Sequence, residues 1–111
     1  MSKRDLQLLL YDILESCNYI KNYTVDFTYD TFINDKKTVD AVIRNFIIIG
    51  EATANIEQNF KSLNPQVDWQ IIKSFRNRMV HDYTGIDYEV VWDVITNFID
   101  DLELQIQELL K

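Results

Sequence analysis

Proline, glycine and cysteine are scarce in this chain of 111 residues, which contains one proline, two glycines and one cysteine. Few helix breakers and few turn signals favour long helices joined by short connections. A single cysteine, Cys17, excludes a disulfide within one chain and fits a reducing compartment, so we expect a cytoplasmic protein. No apolar run approaches the ~20 residues that span a bilayer, and the first residues predict a charged amphipathic helix rather than a signal peptide.

Histidine is equally scarce, with His81 alone, and the net charge of −7 is unfavourable for nucleic-acid binding because phosphate contacts require a basic surface. The charge is unevenly distributed, however. Residues 73–81 contain Lys73, Arg76, Arg78 and His81 and no acid. This pattern predicts a small basic pocket on an acidic body, or a basic partner.

The apolar residues predict a folded helical protein. Hydrophobic side chains make up 47% of the chain, and its length fits one domain over residues 1–111 that can bury a core without metal or disulfide. Periodicity predicts four main helices over residues 2–21, 36–59, 68–85 and 88–110, with a short helix near 29–33. Such helices with short joins imply an all-α fold, an antiparallel four-helix bundle with a short extra helix.

Several residues have specific expected roles in this bundle. Ser2 followed by Asp5 is an N-terminal capping signal, Asp68 is a plausible N-cap of the third helix, and Gly85 is its natural stop. Cys17 lies in the apolar stripe of the first helix, which predicts a small core residue rather than a nucleophile.

The second predicted helix is apolar over more than one face, because Ile47 and Ile48 widen its main stripe. Two interpretations remain open. The extra apolar surface would be covered by self-association, or the helix would lie centrally in the bundle and be buried on several sides.

An arginine interrupts the apolar face of the third helix. That face consists of Trp69, Ile72, Arg76, Met79 and Tyr83. A partly buried arginine is costly unless it is paired. The structural interpretation is an ion pair, with Glu51 of the second helix as the candidate partner.

The only histidine follows Arg76 by five residues, which on an ideal helix directs the two side chains apart. Asn77, four residues before His81, shares the face of the histidine. Arg76 and His81 would converge if the last helical turn near Gly85 loosened, or if a second copy of the chain supplied part of the site. The alternative interpretation of His81 is a surface or capping residue.

Together, an arginine and a histidine suit the cleavage of RNA without a metal. Histidine can take the proton of a 2′-hydroxyl or give one to the leaving oxygen, while arginine stabilises the phosphate charge in the transition state. The attacking group then belongs to the RNA. No metal-ligand set of recognised spacing, no P-loop and no glycine-rich phosphate cradle accompanies this cluster, so no cofactor is expected.

The segment from Arg76 to Tyr83 resembles the Arg-x4-His-x-Tyr motif of HEPN-domain ribonucleases, and the HepT-like branch fits best. Further matching blocks are DKKT at 35–38, AVIRN at 41–45, IGEA at 49–52, VDW at 67–69 and VW at 91–92. The resemblance extends from about residue 3 to residue 110.

The resemblance implies an all-α homodimer in which the motifs of two chains lie near each other. It implies catalysis by Arg76 and His81 with help from Asn77, while Glu51 and Arg78 are possible supporting residues. It further implies a toxin of a type VII-like toxin–antitoxin pair. Its partner would resemble MntA, a minimal nucleotidyltransferase antitoxin that uses ATP to attach AMP to Tyr83 and thereby places bulk and negative charge beside Arg76.

Two other functions remain open. The chain could be a non-catalytic helical binding subunit of a nucleotidyltransferase complex, or a helical structural protein with no site. The second leaves Arg76 in an apolar stripe unexplained.

Overall fold

The computed structural model describes residues 1–111 with the exception of the Tyr83 side chain. The α-helices are α1 (Lys3–Thr24), α2 (Tyr29–Ile33), α3 (Lys36–Ala54), α4 (Gln58–Leu63), α5 (Trp69–His81), α6 (Tyr88–Asn97) and α7 (Ile99–Leu109). A 3₁₀-helical turn, Tyr83–Gly85, follows α5. The described residues contain no β-strand, and the helices form a bundle, so the expected all-α fold is confirmed.

Two helix starts were predicted from capping residues, and both predictions are confirmed. Ser2 Oγ accepts a hydrogen bond from the backbone N–H of Asp5 at 3.0 Å, and the Asp5 side chain bonds back to the cap. The Asp68 carboxylate accepts from the backbone N–H of Ile71 at 3.0 Å and begins α5. These bonds satisfy backbone donors that have no partner within the helix.

The centre of the bundle is α3, which packs against α1, α2 and α5, while α1 also packs against α7. Central burial, one of the two interpretations left open for this helix, is therefore observed, although Ile47 and Ile48 are only partly buried. Cys17 of α1 is fully buried, as predicted for a core residue. Burial raises the pKa of its thiol to about 12.

The second predicted helix is wrong at its C-terminal end, because α3 ends at Ala54 instead of residue 59. Asn55 caps it, and its side chain donates to the backbone oxygen of Glu51 at 3.0 Å. Ile56 beyond the cap is still buried. The apolar period therefore continues through a break in the backbone, and the next residues form the separate helix α4.

Three further predictions of helix extent differ from the structure, and the first helix runs past its predicted end at residue 21 to Thr24. The fourth predicted helix is divided into α6 and α7 at Phe98, whose φ is −118°. The third ends at His81 rather than at Gly85, which lies in the 3₁₀ turn and has no positive φ. Gly85 is therefore not a left-handed helix cap. Among the described residues, no helix is long and apolar enough to cross a membrane.

Candidate functional site

The candidate site begins where α3 and α5 approach each other at Gly50 and Arg76. A Cβ atom added to Gly50 would lie 2.2 Å from both Cβ and Cγ of Arg76. Real Cβ atoms do not tolerate such contacts with atoms so close to a backbone. The missing side chain of Gly50 therefore lets the stem of Arg76 lie directly on the backbone of α3.

The guanidinium of Arg76 is held on two sides. Its Nε donates to Oε1 of Glu51 at 2.9 Å, Nη2 donates to the same oxygen, and Nη1 donates to Oδ1 of Asn77 at 2.9 Å. The predicted ion pair with Glu51 is confirmed. Glu51 follows Gly50 directly, so the close approach of the helices also brings the carboxylate to the arginine.

The solvent exposure of the Arg76–Glu51 ion pair determines whether the guanidinium can also bind a ligand. The side chain of Arg76 is 27% exposed and that of Glu51 is 49% exposed, so the ion pair is open to solvent rather than buried. Three of the five N–H donors of a guanidinium are used by Glu51 and Asn77. The arginine is thus oriented by two side chains and still has N–H groups beyond these bonds for an anionic ligand.

His81 is the last residue of α5 and is exposed. The helix remains α-helical through His81, and the 3₁₀ turn starts only at residue 83. Five residues of regular helix direct Arg76 and His81 about 140° apart. The loosened last turn that could have joined them within one chain is not present, whereas Asn77 and His81 share a face as expected.

A groove of about 760 Å³ adjoins Arg76. Its walls are the C-terminal end of α3, helix α4, the connection over residues 65–68 and the first half of α5. Arg76 and Asn77 line it together with Lys61 and Lys73, and Asp68 is the only acid among the lining residues. Of the four basic residues from which the charge distribution predicted a pocket, Lys73 and Arg76 line this groove, whereas Arg78 and His81 do not.

Arg78 and His81 lie apart from this groove. Arg78 is exposed and lines a separate cavity of about 270 Å³ with Asp82 and Gly85, on the far side of α5 from Arg76. Tyr83, the predicted modification site, has its side chain outside the described part of the structure. His81 does not line the groove.

Two residues were missed by the sequence interpretation. Phe75 is buried against Phe46 in an edge-to-face contact with ring centroids 4.8 Å apart, which fixes α5 on α3 next to Arg76. Its hydrophobicity and its position one turn from Met79 could have indicated this role. Lys61 reaches the groove from α4, and nothing in its local sequence indicates that position.

Comparison with known proteins assigns the family. The family model described as Ribonuclease HepT-like matches residues 13–109. A protein of Methanocaldococcus jannaschii that is named as a candidate RNase is 41% identical over 111 residues, which cover all of this chain and 92% of the relative. A second candidate RNase of that organism is 40% identical over 107 residues, covering 96% of this chain and 98% of the relative.

A third relative carries the family name itself. A protein of Thermococcus cleftensis named as a candidate ribonuclease HepT is 37% identical over 109 residues, covering 98% of this chain and 99% of the relative. No solved structure gave a significant match. The chain therefore belongs to the HepT-like ribonuclease family, and the resemblance found in its sequence is confirmed.

Proposed function

We propose that this chain is a metal-independent endoribonuclease that acts in the cytoplasm as the toxin of a toxin–antitoxin pair. The observation that carries the proposal is the orientation of Arg76 by Glu51 and Asn77 at the edge of a basic groove. An arginine held by hydrogen bonds loses little entropy on binding a phosphate and presents its remaining donors in one direction. Membership of the HepT-like ribonuclease family supports RNA as the substrate.

The proposed reaction is transesterification. The 2′-oxygen of the RNA attacks the adjacent phosphorus, the bond to the 5′-oxygen breaks, and the products are a cyclic phosphate and a 5′-hydroxyl. His81 makes one of the two proton transfers, taking the 2′-hydroxyl proton or protonating the leaving 5′-oxygen, and water makes the other, while Arg76 stabilises the charge that develops on the phosphate oxygens. Asn77 assists by holding Nη1 of Arg76.

The active form is a homodimer in this proposal. Helical geometry separates Arg76 and His81 within one chain, while both residues lie on the same short segment of α5. A second copy packed against this segment would bring its own His81 towards Arg76, since a two-fold interface places the same surface of each subunit opposite the other. Two basic segments would then meet and partly offset the acidic charge of the chains.

Neutralisation would come from a MntA-like nucleotidyltransferase that transfers AMP from ATP to Tyr83. The phenolic oxygen would attack the α-phosphorus of ATP, pyrophosphate would leave, and the tyrosine would carry an anionic phosphodiester. A negative group two residues from His81 and seven from Arg76 would compete with RNA phosphate at the site. Arg78, next to this segment, is a candidate to support substrate or antitoxin binding.

The decisive experiment is cleavage of RNA by purified protein in EDTA. Wild type should cut, Arg76→Ala and His81→Ala should not, and Arg44→Ala should cut normally because Arg44 is an exposed arginine on α3. Equal cutting by all four proteins would identify a contaminating nuclease and refute the proposal. Intact RNA together with a stable nucleotidyltransferase complex would instead support the non-catalytic binding subunit.

A further inference from the structure

We propose that the groove between α4 and α5 binds the RNA strand next to the cleaved phosphodiester, with Lys61 and Lys73 contacting its phosphates. This inference rests on the proposed ribonuclease function and adds a substrate-binding surface to it. Its volume of about 760 Å³ is within the range of ligand-binding clefts.

The first step is the position of the two lysines relative to Arg76. Lys73 precedes Arg76 by three residues on α5, so the two side chains are neighbours along the same wall. Lys61 comes from α4, a different wall of the groove. Cations from two helices that line the same groove as Arg76 suit a chain of phosphates that continues away from the arginine.

Lys61 is held in this position by a hydrogen bond. Its Nζ donates to the backbone oxygen of Thr53 at 3.2 Å, near the C-terminal end of α3. An ammonium group has three donors, so two remain beyond this bond. The lysine therefore reaches the groove already oriented, which lowers the entropy lost on binding a phosphate.

The charge balance explains why the lysines are needed. Glu51 accepts from Arg76 and offsets much of its charge, so Arg76 alone attracts a polyanion weakly. Asp68 also lines the groove and keeps its negative charge while it accepts from the N–H of Ile71 at the start of α5, so it offsets a further cation. Lys61 and Lys73 therefore supply most of the positive potential of this surface on a chain with a net charge of −7.

The remaining lining residues favour RNA over an apolar ligand. Most of them are polar, among them Gln58, Ser62, Gln66 and Gln70. Trp69 offers a partly exposed indole, whose N–H donates to the backbone oxygen of Asn64 at 3.0 Å and so fixes the ring at the groove. Hydrogen-bonding side chains beside a fixed aromatic ring suit single-stranded RNA, whose bases are accessible.

The test measures binding separately from cleavage. Wild type, Lys73→Gln and Lys61→Gln are titrated against a short single-stranded RNA with 2′-O-methyl sugars, which cannot undergo the proposed transesterification. Each variant should bind roughly five- to tenfold more weakly at low salt, and equally so for two unrelated sequences. The slope of log affinity against log salt should fall by about 0.7 for each lost phosphate contact.

Lys37→Gln is the matched control, since it removes the same charge from an exposed position at the opposite end of α3. It should keep the wild-type affinity and salt slope. Lys73→Gln decides the result if Lys61→Gln loses stability together with its bond to Thr53.

Wild-type affinity in Lys73→Gln, or no binding of the oligonucleotide by wild type, would overturn the inference. Either result would overturn the inference even if the same lysine variants bound an acidic protein partner more weakly than wild type does. If wild type cleaves RNA and the lysine variants bind RNA normally, the proposed RNA-binding role of the groove is refuted and the proposed ribonuclease function is not. If RNA binding depends on the lysines but wild type cleaves no RNA, the proposed ribonuclease function is refuted and the RNA-binding role of the groove is not.

Discussion

Gly50 and Arg76 are in direct contact, because the stem of the arginine occupies the space that a side chain on Gly50 would need. The next residue, Glu51, pairs with the guanidinium of the same arginine. Two consecutive residues of α3 therefore position Arg76, one by having no side chain and the other by its carboxylate. The contact between α3 and α5 at Gly50 therefore both packs the two helices together and brings Glu51 to the candidate catalytic arginine.

Gly50→Ala should destabilise the protein, although alanine is the better helix former by about 1 kcal/mol. The added methyl would lie 2.2 Å from Cβ and Cγ of Arg76, so α3 and α5 must separate. We expect a net loss of roughly 1–3 kcal/mol in the free energy of unfolding, measured by urea denaturation. In an Arg76→Gly background the same substitution should be neutral or stabilising, and a destabilisation there would show that the arginine is not the obstacle.

Elements with local signals were the predictable part of this fold. Asp68 caps α5 and residues 29–33 form a helix, as expected, because capping and short-range periodicity act within a few residues. The break after Ala54 could not be seen, since the buried Ile56 continues the apolar period of α3 into the connection. Periodicity reports which residues face the core and not whether the backbone remains helical between them.

The candidate site was predictable only in part, for a similar reason. An arginine in an apolar stripe requires a partner, and Glu51 lies where α3 can supply one. Lys61 lies on a short helix whose place beside α5 depends on the tertiary fold, so its sequence neighbourhood gives no signal. The contact of Gly50 with Arg76 likewise exists only once the two helices have packed.

Glu51→Gln should reduce cleavage far more than stability. The carboxylate is 49% exposed, so the loss of its charge should cost less than about 1 kcal/mol in unfolding free energy. A less firmly held guanidinium should lower the cleavage rate roughly ten- to hundredfold. Glu108→Gln removes a different exposed ion pair, with Lys111, and should leave cleavage unchanged. A wild-type rate in Glu51→Gln would mean that the pair has no positioning role.

Cys17 should resist alkylation in the native protein. Burial raises its thiol pKa to about 12, so almost no thiolate is present at neutral or mildly alkaline pH, and the sulfur is inaccessible. Iodoacetamide at pH ~8 should label the urea-unfolded chain much faster than the native chain, as measured by intact mass. Equal rates would place the thiol at the surface.

The same pKa shift gives a direction for the pH dependence of stability. The pKa of the thiol in the folded protein lies above the ordinary value of 9.0. Its contribution to the free energy of unfolding is therefore fully present below pH 9.0. That contribution should decline as the pH rises from 9.0 towards about 12, where the unfolded chain ionises and the folded chain does not. In Cys17→Ala this component of the alkaline loss should be absent, and an identical alkaline profile would contradict the assignment.

Tyr83→Phe should abolish modification without abolishing cleavage. Incubation of wild type with a MntA-like nucleotidyltransferase and ATP should add the mass of one or more AMP units and stop RNA cleavage. Tyr83→Phe should gain no mass and remain active under the same treatment, because phenylalanine has no attacking oxygen. Tyr88→Phe, which alters an exposed tyrosine five residues later, should behave as wild type. AMP addition to Tyr83→Phe would place the modification on another residue.

Mixing two inactive variants should restore activity if the site is shared between subunits. Arg76→Ala and His81→Ala each remove one member of the proposed pair. In a mixed dimer, one of the two sites would combine the intact Arg76 of one chain with the intact His81 of the other. If subunits exchange freely, about a quarter of the wild-type activity should return, since half of the dimers are mixed and half of their sites are intact.

A failure to regain cleavage activity can be interpreted only if the two variants have exchanged subunits. Mixed dimers must therefore be detected by native mass spectrometry in the same sample. Mixed dimers without activity would place Arg76 and His81 of one chain in the same site, and the last turn of α5 would have to unwind on binding RNA. Regained activity would instead show that the dimer is the catalytic unit. The site would then need no unwinding of α5, which is helical through His81 in the structure.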